Sequence, residues 1–466
     1  MFGISKERLK IILIFLVIFI CIFTFAISTS NYGTVDTADY LGAAKGFAEL
    51  SPTKMRSSHT WITGLVFGQI LKVVPYLNFL KFLNVLVLVL TGVLVYAVTK
   101  SKKSILIFAF SPVVWYNSPA INGIQIAALL MFIGYIFFKK FEEDAKIRNL
   151  VVTGLLFGLA NLFWDSSFFL TLFFILAFFY KKESKTLFIF LIAMALTSSI
   201  RLLVDYILFD FPFFSLIRFF GGQMAAFFGL GGAAPEASSL LFFRTPITYR
   251  LTVLFALSPL LFLIYRTNFK KYKAEFWFII LGLILFLLLG AQLRYLPTLL
   301  PISIVLLTDV IRKRELKWHV ILSIILLISF IFAFGGFYNG KFEMINSDMF
   351  SIAEEFPNER FIIGEEELHQ GIAEIYWGTD IKELIGWREY LISIGKRDSY
   401  LTYMLESNSK INDERKLKIT FSLEKKDNQT YEEIDYLITT KEESPIDEFK
   451  LVKEYQLLKL YKRERN

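Results

Sequence analysis

Long apolar runs separated by short basic segments recur as far as Gly340, and they constrain the fold more than any other feature of the sequence. Most runs have roughly 17 to 24 residues, and a helix of that length, at about 1.5 Å per residue, crosses the hydrocarbon core of a bilayer. Of the 466 residues, 55% are hydrophobic and only 20% are charged. A soluble protein of this length could not cover so much apolar surface. The sequence therefore predicts an α-helical polytopic membrane protein.

The apolar runs divide into about eleven candidate spans. These are residues 11–29, 78–98, 104–118, 121–138, 149–163, 166–180, 186–208, 248–265, 275–293, 295–311 and 318–337. Three apolar blocks, 104–138, 149–180 and 275–311, would each be roughly 50 Å long as single helices, whereas the core is about 30 Å thick. We therefore interpret each block as a hairpin of two spans.

Basic residues collect in alternate gaps between the spans. The clusters are Lys100/Lys102/Lys103, Lys139/Lys140/Lys146/Arg148, Lys181/Lys182/Lys185, Arg266/Lys270/Lys271/Lys273 and Arg312/Lys313/Arg314/Lys317. The first span is longer than the apolar core of a signal peptide, so we interpret it as an uncleaved helix with a cytoplasmic N-terminus. This orientation puts every cluster on the cytoplasmic side, as the positive-inside rule requires. The formal charge of +8 thus needs no nucleic-acid partner.

Residues 30–77, 209–247 and 338–466 then lie outside the membrane. Segment 57–75 is amphipathic and is expected to lie along the interface. Segment 211–243 has aromatic clusters around a glycine-rich centre, which favours a re-entrant or surface-lying segment. The alternative is an additional span, and it would invert the topology of everything that follows.

The end of the sequence is charged and has short apolar runs at 360–364, 417–421, 436–440 and 455–461, with a helix-like stretch at 380–395. This pattern predicts a small α/β domain outside the membrane. The predicted domains are a transmembrane domain at 1–339, with outer loops 30–77 and 209–247, and an extracytoplasmic domain at 340–466.

Polar residues occupy the turns of the three hairpins. They are Asn117 and Asn122, then Trp164-Asp165-Ser166-Ser167, then Gln292 and Arg294. Burying polar groups near the membrane core costs free energy unless they face protein or a water-filled cavity. We therefore expect the three turns and the loop that holds Asp36 to gather on the outer face.

Two carboxylates, Asp36 and Asp39, stand in the first outer loop beside Tyr40. On a helix they would share one face, and partial desolvation near the interface raises the pKa of a carboxylate and makes it a better base. The alternative is an ordinary helix N-cap at Asp36 or Thr37. Their position on the outer side, with the other polar features, favours the catalytic interpretation.

Arg294 is the sharper signal, because it stands at a hairpin turn with Tyr295, Pro297 and Pro301 behind it. An arginine there can bind a phosphate through bidentate, charge-assisted hydrogen bonds. The alternative is that its side chain reaches to the interface as a partner of the aromatic belt. The residues by themselves favour neither interpretation.

Several segments together resemble the GT-C membrane glycosyltransferases, in the branch of the protein O-mannosyltransferases and lipid A aminoarabinose transferases. They are "VDTADYLGAAKGFAEL", "RSSHTWITGLVFGQILKVVP", "FAFSPVVWYNSPAING", "VVTGLLFGLANLFW", "RYLPTLLPISIVLL" and the final "EIDYLIT…YQLLKLYKR". The chain departs from the family after the fifth span, where Trp164-Asp165 replaces a frequent lysine. The Asp-Glu pair of the O-mannosyltransferases and the WWDYG motif of oligosaccharyltransferases are missing from the sequence, so acceptor and metal dependence stay open.

The resemblance implies an integral membrane enzyme that takes a sugar from a polyprenyl phosphate, dolichyl or undecaprenyl, at the outer face of the plasma membrane or its equivalent. It implies inverting transfer to an acceptor hydroxyl, with a protein, a lipid or a glycan as the acceptor. Asp36 aligns with the catalytic base, with Asp39 as second choice, and Arg294 would stabilise the phosphate leaving group. Further substrate-binding candidates are Tyr295, Tyr40, Arg56, His59 and Asp165. A hexose or a pentose would suit this chemistry, and a divalent metal is left open as a cofactor.

A transporter or flippase of a lipid-linked or small polar substrate is the main alternative, because a few charges among many spans also suit a substrate pathway. Arg201 and Asp205 are its best support, although they could pair with each other as i,i+4 neighbours. The polar residues favour the enzyme, since they cluster at one face rather than at the middle of the membrane.

Overall fold

A computed structural model shows the fold and describes residues 6–28, 40–41, 43–44, 47–48, 61–180, 182–209, 211–213, 215–216, 271–288, 293–334, 348–349, 351–357, 359–363, 383–386, 435–440 and 448–464. The chain divides into two compact units. The first, the helical unit, comprises residues 1–29, 78–200 and 237–335. The second, the mixed unit, comprises residues 30–77, 201–236 and 336–466.

Helices dominate the part of the chain before residue 335. They are α1 Lys6–Ser28, α2 Trp61–Val73, α3 Leu77–Thr99, α4 Lys102–Ala109, α5 Pro112–Asn117, α6 Ile124–Asp144, α7 Ile147–Phe163, α8 Ser167–Phe178, α9 Ser184–Phe209, α10 Lys273–Leu288, a 3-10 helix at Leu293–Thr298, α11 Leu300–Val310 and α12 Lys313–Phe334. Helices α1, α3, α6 and, over Ser184–Ile207, α9 are long and apolar enough to cross a membrane. Every predicted span within the described residues coincides with a helix or a pair of helices, and span 248–265 lies outside them.

Two predicted spans are less regular than expected. Span 104–118 is broken at Phe110 and Ser111 into α4 and α5, because Pro112 has no N–H to continue the ladder and takes the first position of the new helix. Span 295–311 begins as the 3-10 helix, which contains Pro297, before α11 starts. The two irregular stretches pack against each other, since α5 contacts the 3-10 helix.

Phenylalanine rings form the centre of the helical unit. The Phe174 ring lies 4.4 Å, between centroids, from both Phe157 and Phe178, and 5.2 Å from Phe138. Phe190 of α9 adds a ring 5.8 Å from Phe157. Pairs of this kind are worth about 0.5–1.5 kcal/mol beyond their buried area, so the cluster joins α6, α7, α8 and α9.

The basic segments that separate the predicted spans lie together at one end of the helical unit, which we call the basic end. The contacts that join them are Lys102–Glu7 (3.5 Å), Lys103 Nζ to the Ile311 carbonyl (2.6 Å), Lys182–Glu142 (3.0 Å), Lys139–Glu275 (3.2 Å) and Lys271–Asp309 (3.0 Å). Each contact links two different gaps or a gap to the start of α1. The alternation inferred from charge therefore matches the arrangement of the helices. That this end faces the cytoplasm stays a prediction.

Within its described residues, the mixed unit contains a five-stranded sheet with the order β2-β1-β3-β5-β4. The strands are β1 Arg360–Ile363, β2 Glu383–Gly386, β3 Tyr436–Thr439, β4 Phe449–Glu454 and β5 Lys459–Arg463. Strand β1 pairs in parallel with β2 and β3, whereas β5 pairs antiparallel with β3 and β4. An α/β fold here agrees with the prediction.

Local assignments in this region were less accurate. The stretch 380–395 has a local helical pattern that predicts a helix, but it contains β2, because pairing with β1 outweighs that pattern. The run 455–461 is divided by a bend, so that β5 begins only at Lys459. The predicted strand at 417–421 lies outside the described residues.

Asp348 ties the sheet to the residues that precede it. Its carboxylate is 3% exposed and accepts hydrogen bonds from the backbone N–H groups of Gln456, Leu457 and Leu458, at 3.2, 2.6 and 2.9 Å. Bonds from three donors satisfy a buried charge that would otherwise be costly. The bend before β5 is therefore fixed by a side chain about 110 residues earlier in the chain.

Candidate functional site

Three turns meet at the end of the helical unit opposite the basic end. They are residues 118–123 between α5 and α6, residues 164–166 between α7 and α8, and the 3-10 helix at 293–298. The 3-10 helix packs against α5 and α6, and a ring contact joins it to the turn after α7. We call this region the tip end. The gathering of hairpin turns expected from the sequence is found for these three.

Arg294 lies at the tip end and is partly buried. Its guanidinium stands 4.9 Å from the centroid of the neighbouring Tyr295 ring, and its Nη2 donates a hydrogen bond of 2.8 Å to the Tyr295 hydroxyl. Tyr295 also contacts Trp164. The two side chains stack with 5.7 Å between ring centroids and 20° between the ring planes. The cation is therefore attached to an aromatic pair contributed by two separate hairpins.

The turn that carries Trp164 and Asp165 is tightly bonded. Helix α7 ends at Phe163, and the next residue, Trp164, has an extended backbone (φ −150°, ψ 119°) and an N–H that donates to the Ala160 carbonyl. The Ser167 hydroxyl lies 2.6 Å from the Trp164 carbonyl oxygen and 2.7 Å from Asn161 Oδ1. Asp165 is 3% exposed, so this predicted site residue is a buried carboxylate within the turn.

Amide side chains connect α3 to the first turn of the tip end. Asn84 Nδ2 donates to the carbonyl oxygens of Asn117 and Ser118, at 2.8 and 2.9 Å. Gln125 Nε2 then donates to Asn117 Oδ1 at 3.3 Å. All four residues are buried, so these bonds fix the backbone on which the 3-10 helix rests.

A second cation at the tip end was missed in the sequence. Lys81 is fully buried in α3, and its Nζ donates a 3.0 Å hydrogen bond to the carbonyl of Ala26, in the last turn of α1. Carbonyls at a helix C-terminus attract a cation. The sequence signal was a single lysine inside an apolar run, with Asn84 three residues later on the same helix face. An ionisable residue in that setting is a functional candidate by default.

Tyr40 belongs to the mixed unit and is buried. Nearby in the sequence, Ala43 and Ala44 lie so close to α2 that a side chain at Gly64 or Gly68 would come within 2.6 Å of them. Asp36, Asp39, Arg56 and His59 lie outside the described residues. The structure thus brings together Arg294, Tyr295 and the turn of Asp165, and leaves the carboxylates of the first loop as predictions.

Arg201 and Asp205 form part of a separate polar group in the mixed unit. Arg201 Nε donates to the Ser215 hydroxyl at 2.7 Å, and that hydroxyl lies 2.6 Å from Asp205 Oδ2. The serine thus bridges the two charged residues. Over the described part of the chain, no three histidine, cysteine or acidic side chains are grouped so as to hold a metal ion.

No protein-family model and no curated protein matches the sequence. Among solved structures, the chain is similar to ArnT from Cupriavidus metallidurans, an aminoarabinose transferase crystallised with undecaprenyl phosphate. The TM-score is 0.58 at 10% sequence identity, and the similarity covers 97% of this chain and 98% of that one. At this sequence identity, the structural similarity is evidence for the fold alone. The chain therefore has the GT-C-like fold of a polytopic membrane protein that its sequence predicts.

Proposed function

We propose that this protein is a membrane glycosyltransferase that moves a sugar from a polyprenyl phosphate to an acceptor hydroxyl. The observation that carries the proposal is Arg294, a partly buried cation at the end of the helical unit opposite the basic end. A guanidinium matches the geometry of phosphate and binds it bidentately. The undecaprenyl phosphate bound to ArnT, a protein of the same fold, supports this class of donor.

Lys81 is proposed as the second cation for the same phosphate. The ammonium of Lys81 lies in the part of α3 that is near the tip end. There it donates a hydrogen bond to the backbone carbonyl of Ala26. A buried ammonium attracts an anion more strongly than an ammonium in water does, because the dielectric constant around it is low. An ammonium on a flexible stem can also turn toward a ligand more readily than a planar guanidinium.

The reaction we propose is a direct displacement with inversion at the anomeric carbon. The acceptor oxygen forms a bond to that carbon while the bond to the phosphate oxygen breaks and the polyprenyl phosphate departs. Asp36, or Asp39 in its place, takes the proton of the acceptor hydroxyl. The leaving phosphate gains negative charge, which Arg294 and Lys81 stabilise in a site of low dielectric constant.

The other predicted residues complete the proposal. Asp165, Arg56, His59 and Tyr40 are proposed to contact the sugar or the acceptor. The tip end is proposed to face the outside of the cell, with the N-terminus in the cytoplasm and the C-terminal α/β domain outside. A hexose and a pentose remain alternative donor sugars.

The direct test is sugar transfer from a synthetic polyprenyl-phosphate sugar by the purified protein in detergent. Release of polyprenyl phosphate is measured with a panel of acceptor hydroxyl compounds and with water. An enzyme works without a sealed compartment, whereas a transporter or flippase shows movement of substrate only in closed vesicles. Movement in vesicles with no cleavage in detergent would support the transporter.

Matched variants locate the site. Arg294→Ala and Lys81→Met are expected to weaken binding of undecaprenyl phosphate and to slow turnover. The controls are Arg314→Ala and Lys103→Met at the basic end, since Lys103 also donates to a backbone carbonyl. Asp36→Asn combined with Asp39→Asn should abolish transfer but leave phosphate binding intact. Transfer by this double variant at the rate of the natural protein would rule out the proposed base.

A further inference from the structure

We propose that Trp164 is a positioning residue that orients Arg294, through Tyr295, for the phosphate of the lipid donor. This inference rests on the proposed function and adds a residue that makes no contact with substrate in the proposal. In the sequence, Trp164 stands out only as part of a turn and as a departure from the family pattern. The structure places it in stacking contact with the ring on which the Arg294 guanidinium rests.

An arginine must be ordered before its two-pronged bond to phosphate can be used efficiently, because an ordered side chain loses less entropy on binding. Tyr295 restrains Arg294 in two ways, through the ring face and through the hydroxyl that accepts from Nη2. A guanidinium carries five N–H donors, so the bond to the Tyr295 hydroxyl is compatible with a bidentate bond to phosphate. The orientation of Arg294 therefore depends on the orientation of the Tyr295 ring.

The Tyr295 ring in turn needs support from outside its own helix. It stands on a short 3-10 helix interrupted by Pro297, and hydrogen bonds in such helices have poorer geometry than in α-helices. Trp164 supplies a flat surface 5.7 Å away, nearly parallel to the ring. An offset aromatic pair of this geometry favours one ring orientation over others.

Trp164 is itself rigid. Its side chain is 4% exposed, its N–H is bonded to the end of α7, and its carbonyl oxygen accepts from the N–H of Ser167 at 3.1 Å. A functional group held by a side chain on a bonded turn is more accurately placed than one on a loose loop. The α7–α8 hairpin therefore positions a cation that belongs to a different hairpin.

The competing explanation is that Trp164 only fills space in the core. In that case its loss would reduce stability without a separate effect on phosphate binding. The two explanations differ for a substitution that keeps a ring: Trp164→Phe retains the stack, whereas Trp164→Leu retains only apolar volume. Phe157→Leu is the control variant, because it removes a ring from α7, the helix that precedes Trp164, at a distance from Arg294.

The experiment measures the Kd of undecaprenyl phosphate for the full-length protein in detergent, together with the thermal unfolding of each variant. We expect Trp164→Leu to raise the Kd roughly three- to tenfold, the effect of losing one aromatic pair. Trp164→Phe should recover most of the affinity, and Phe157→Leu should lower thermal stability but leave the Kd unchanged. If Trp164→Leu does not fold, Trp164→Met provides the same comparison, because the flexible methionine side chain adapts to an irregular space without supplying a ring.

The outcomes separate this inference from the proposed function. An unchanged Kd in the ring-less variants, with binding still lost in Arg294→Ala, would overturn the positioning role alone. Failure of Trp164→Phe to recover affinity would also overturn it. Absence of binding to the natural protein, or an unchanged Kd in Arg294→Ala, would overturn the phosphate site and the positioning role together.

Discussion

Gly158 lies where α7 and α9 approach each other closely, and replacing it should separate them. A Cβ atom at this position would lie 2.0 Å from the Thr197 hydroxyl oxygen and 2.3 Å from the carbonyl oxygen of Met194, both on α9. At Gly154, one turn earlier on α7, a Cβ would lie 2.6 Å from the carbonyl oxygen of Phe190. Two glycines four residues apart are a common means of close packing between membrane helices.

The size of the stability loss in Gly158→Ala follows from the contact with the Met194 carbonyl oxygen, because a backbone oxygen cannot rotate away. Ordinary contact begins at 3.4 Å, so α9 must move outward by about 1 Å to admit a methyl group. A gap of about that size forfeits a quarter to a half of each dispersion contact along the interface. Overpacking costs about 1–3 kcal/mol, and loss of the bond from Thr197 to the Leu155 carbonyl adds about 0.6 kcal/mol. We expect Gly158→Ala to destabilise the helical unit by about 2–4 kcal/mol.

Thermal unfolding of the purified protein in detergent measures this effect. Gly134→Ala is the comparison variant, since the nearest atoms to its added methyl group, at 2.9 Å, belong to the Phe157 side chain rather than to backbone, so we expect a smaller loss of stability. Adding Thr197→Ala to Gly158→Ala should restore only part of the stability, because the contact with the Met194 backbone remains. If Gly158→Ala unfolds at the temperature of the natural protein, the close contact of α7 and α9 does not exist.

Three further predictions concern single contacts. Asn84→Ala leaves two buried carbonyls without its amide and should cost about 1–3 kcal/mol of stability in thermal unfolding. Asp348→Ala should expose the backbone N–H groups of 456–458 to faster hydrogen exchange, with a loss of about 3 kcal/mol, and Asp348→Asn should lose less. Hydrogen bonding by Lys453 lowers the pKa of Glu355 from its ordinary 4.5. The stability from this pair is therefore present above pH 4.5 and lost as the pH falls through the lowered pKa; hydrogen exchange in β4 should lose that acid sensitivity in Glu355→Gln.

Length and charge made the spans predictable. The length of an apolar run shows whether it can cross a bilayer, and the basic residues repeat in alternate segments between the runs. Both features can be recognised without knowledge of tertiary contacts. The breaks inside spans were harder, because Pro112 and Pro297 are compatible with either an interrupted helix or a continuous one with a kink. Strand β2 was missed since its assignment depends on pairing with β1, which lies outside its own local sequence.

The candidate site was predictable only in part. Arg294 and Tyr295 stood out as polar residues at a hairpin turn, and Asp165 was marked for the same reason. Lys81 was overlooked because one lysine in an apolar run is usually read as a residue near the interface. Its complete burial depends on contact with the end of α1. Trp164 gave no signal of its own, because stacking with a residue 131 positions later cannot be seen in a local pattern.

The sheet of the mixed unit has a consequence for the order in which its parts assemble. Strand β5 stands between β3 and β4 in the sheet, although it follows both in the chain. Strand β4 reaches the rest of the sheet only through β5, among the strands that the structure describes. Strand β4 can therefore join the rest of the sheet only when β5 is docked onto β3. Any change that blocks the docking of β5 would detach two strands rather than one.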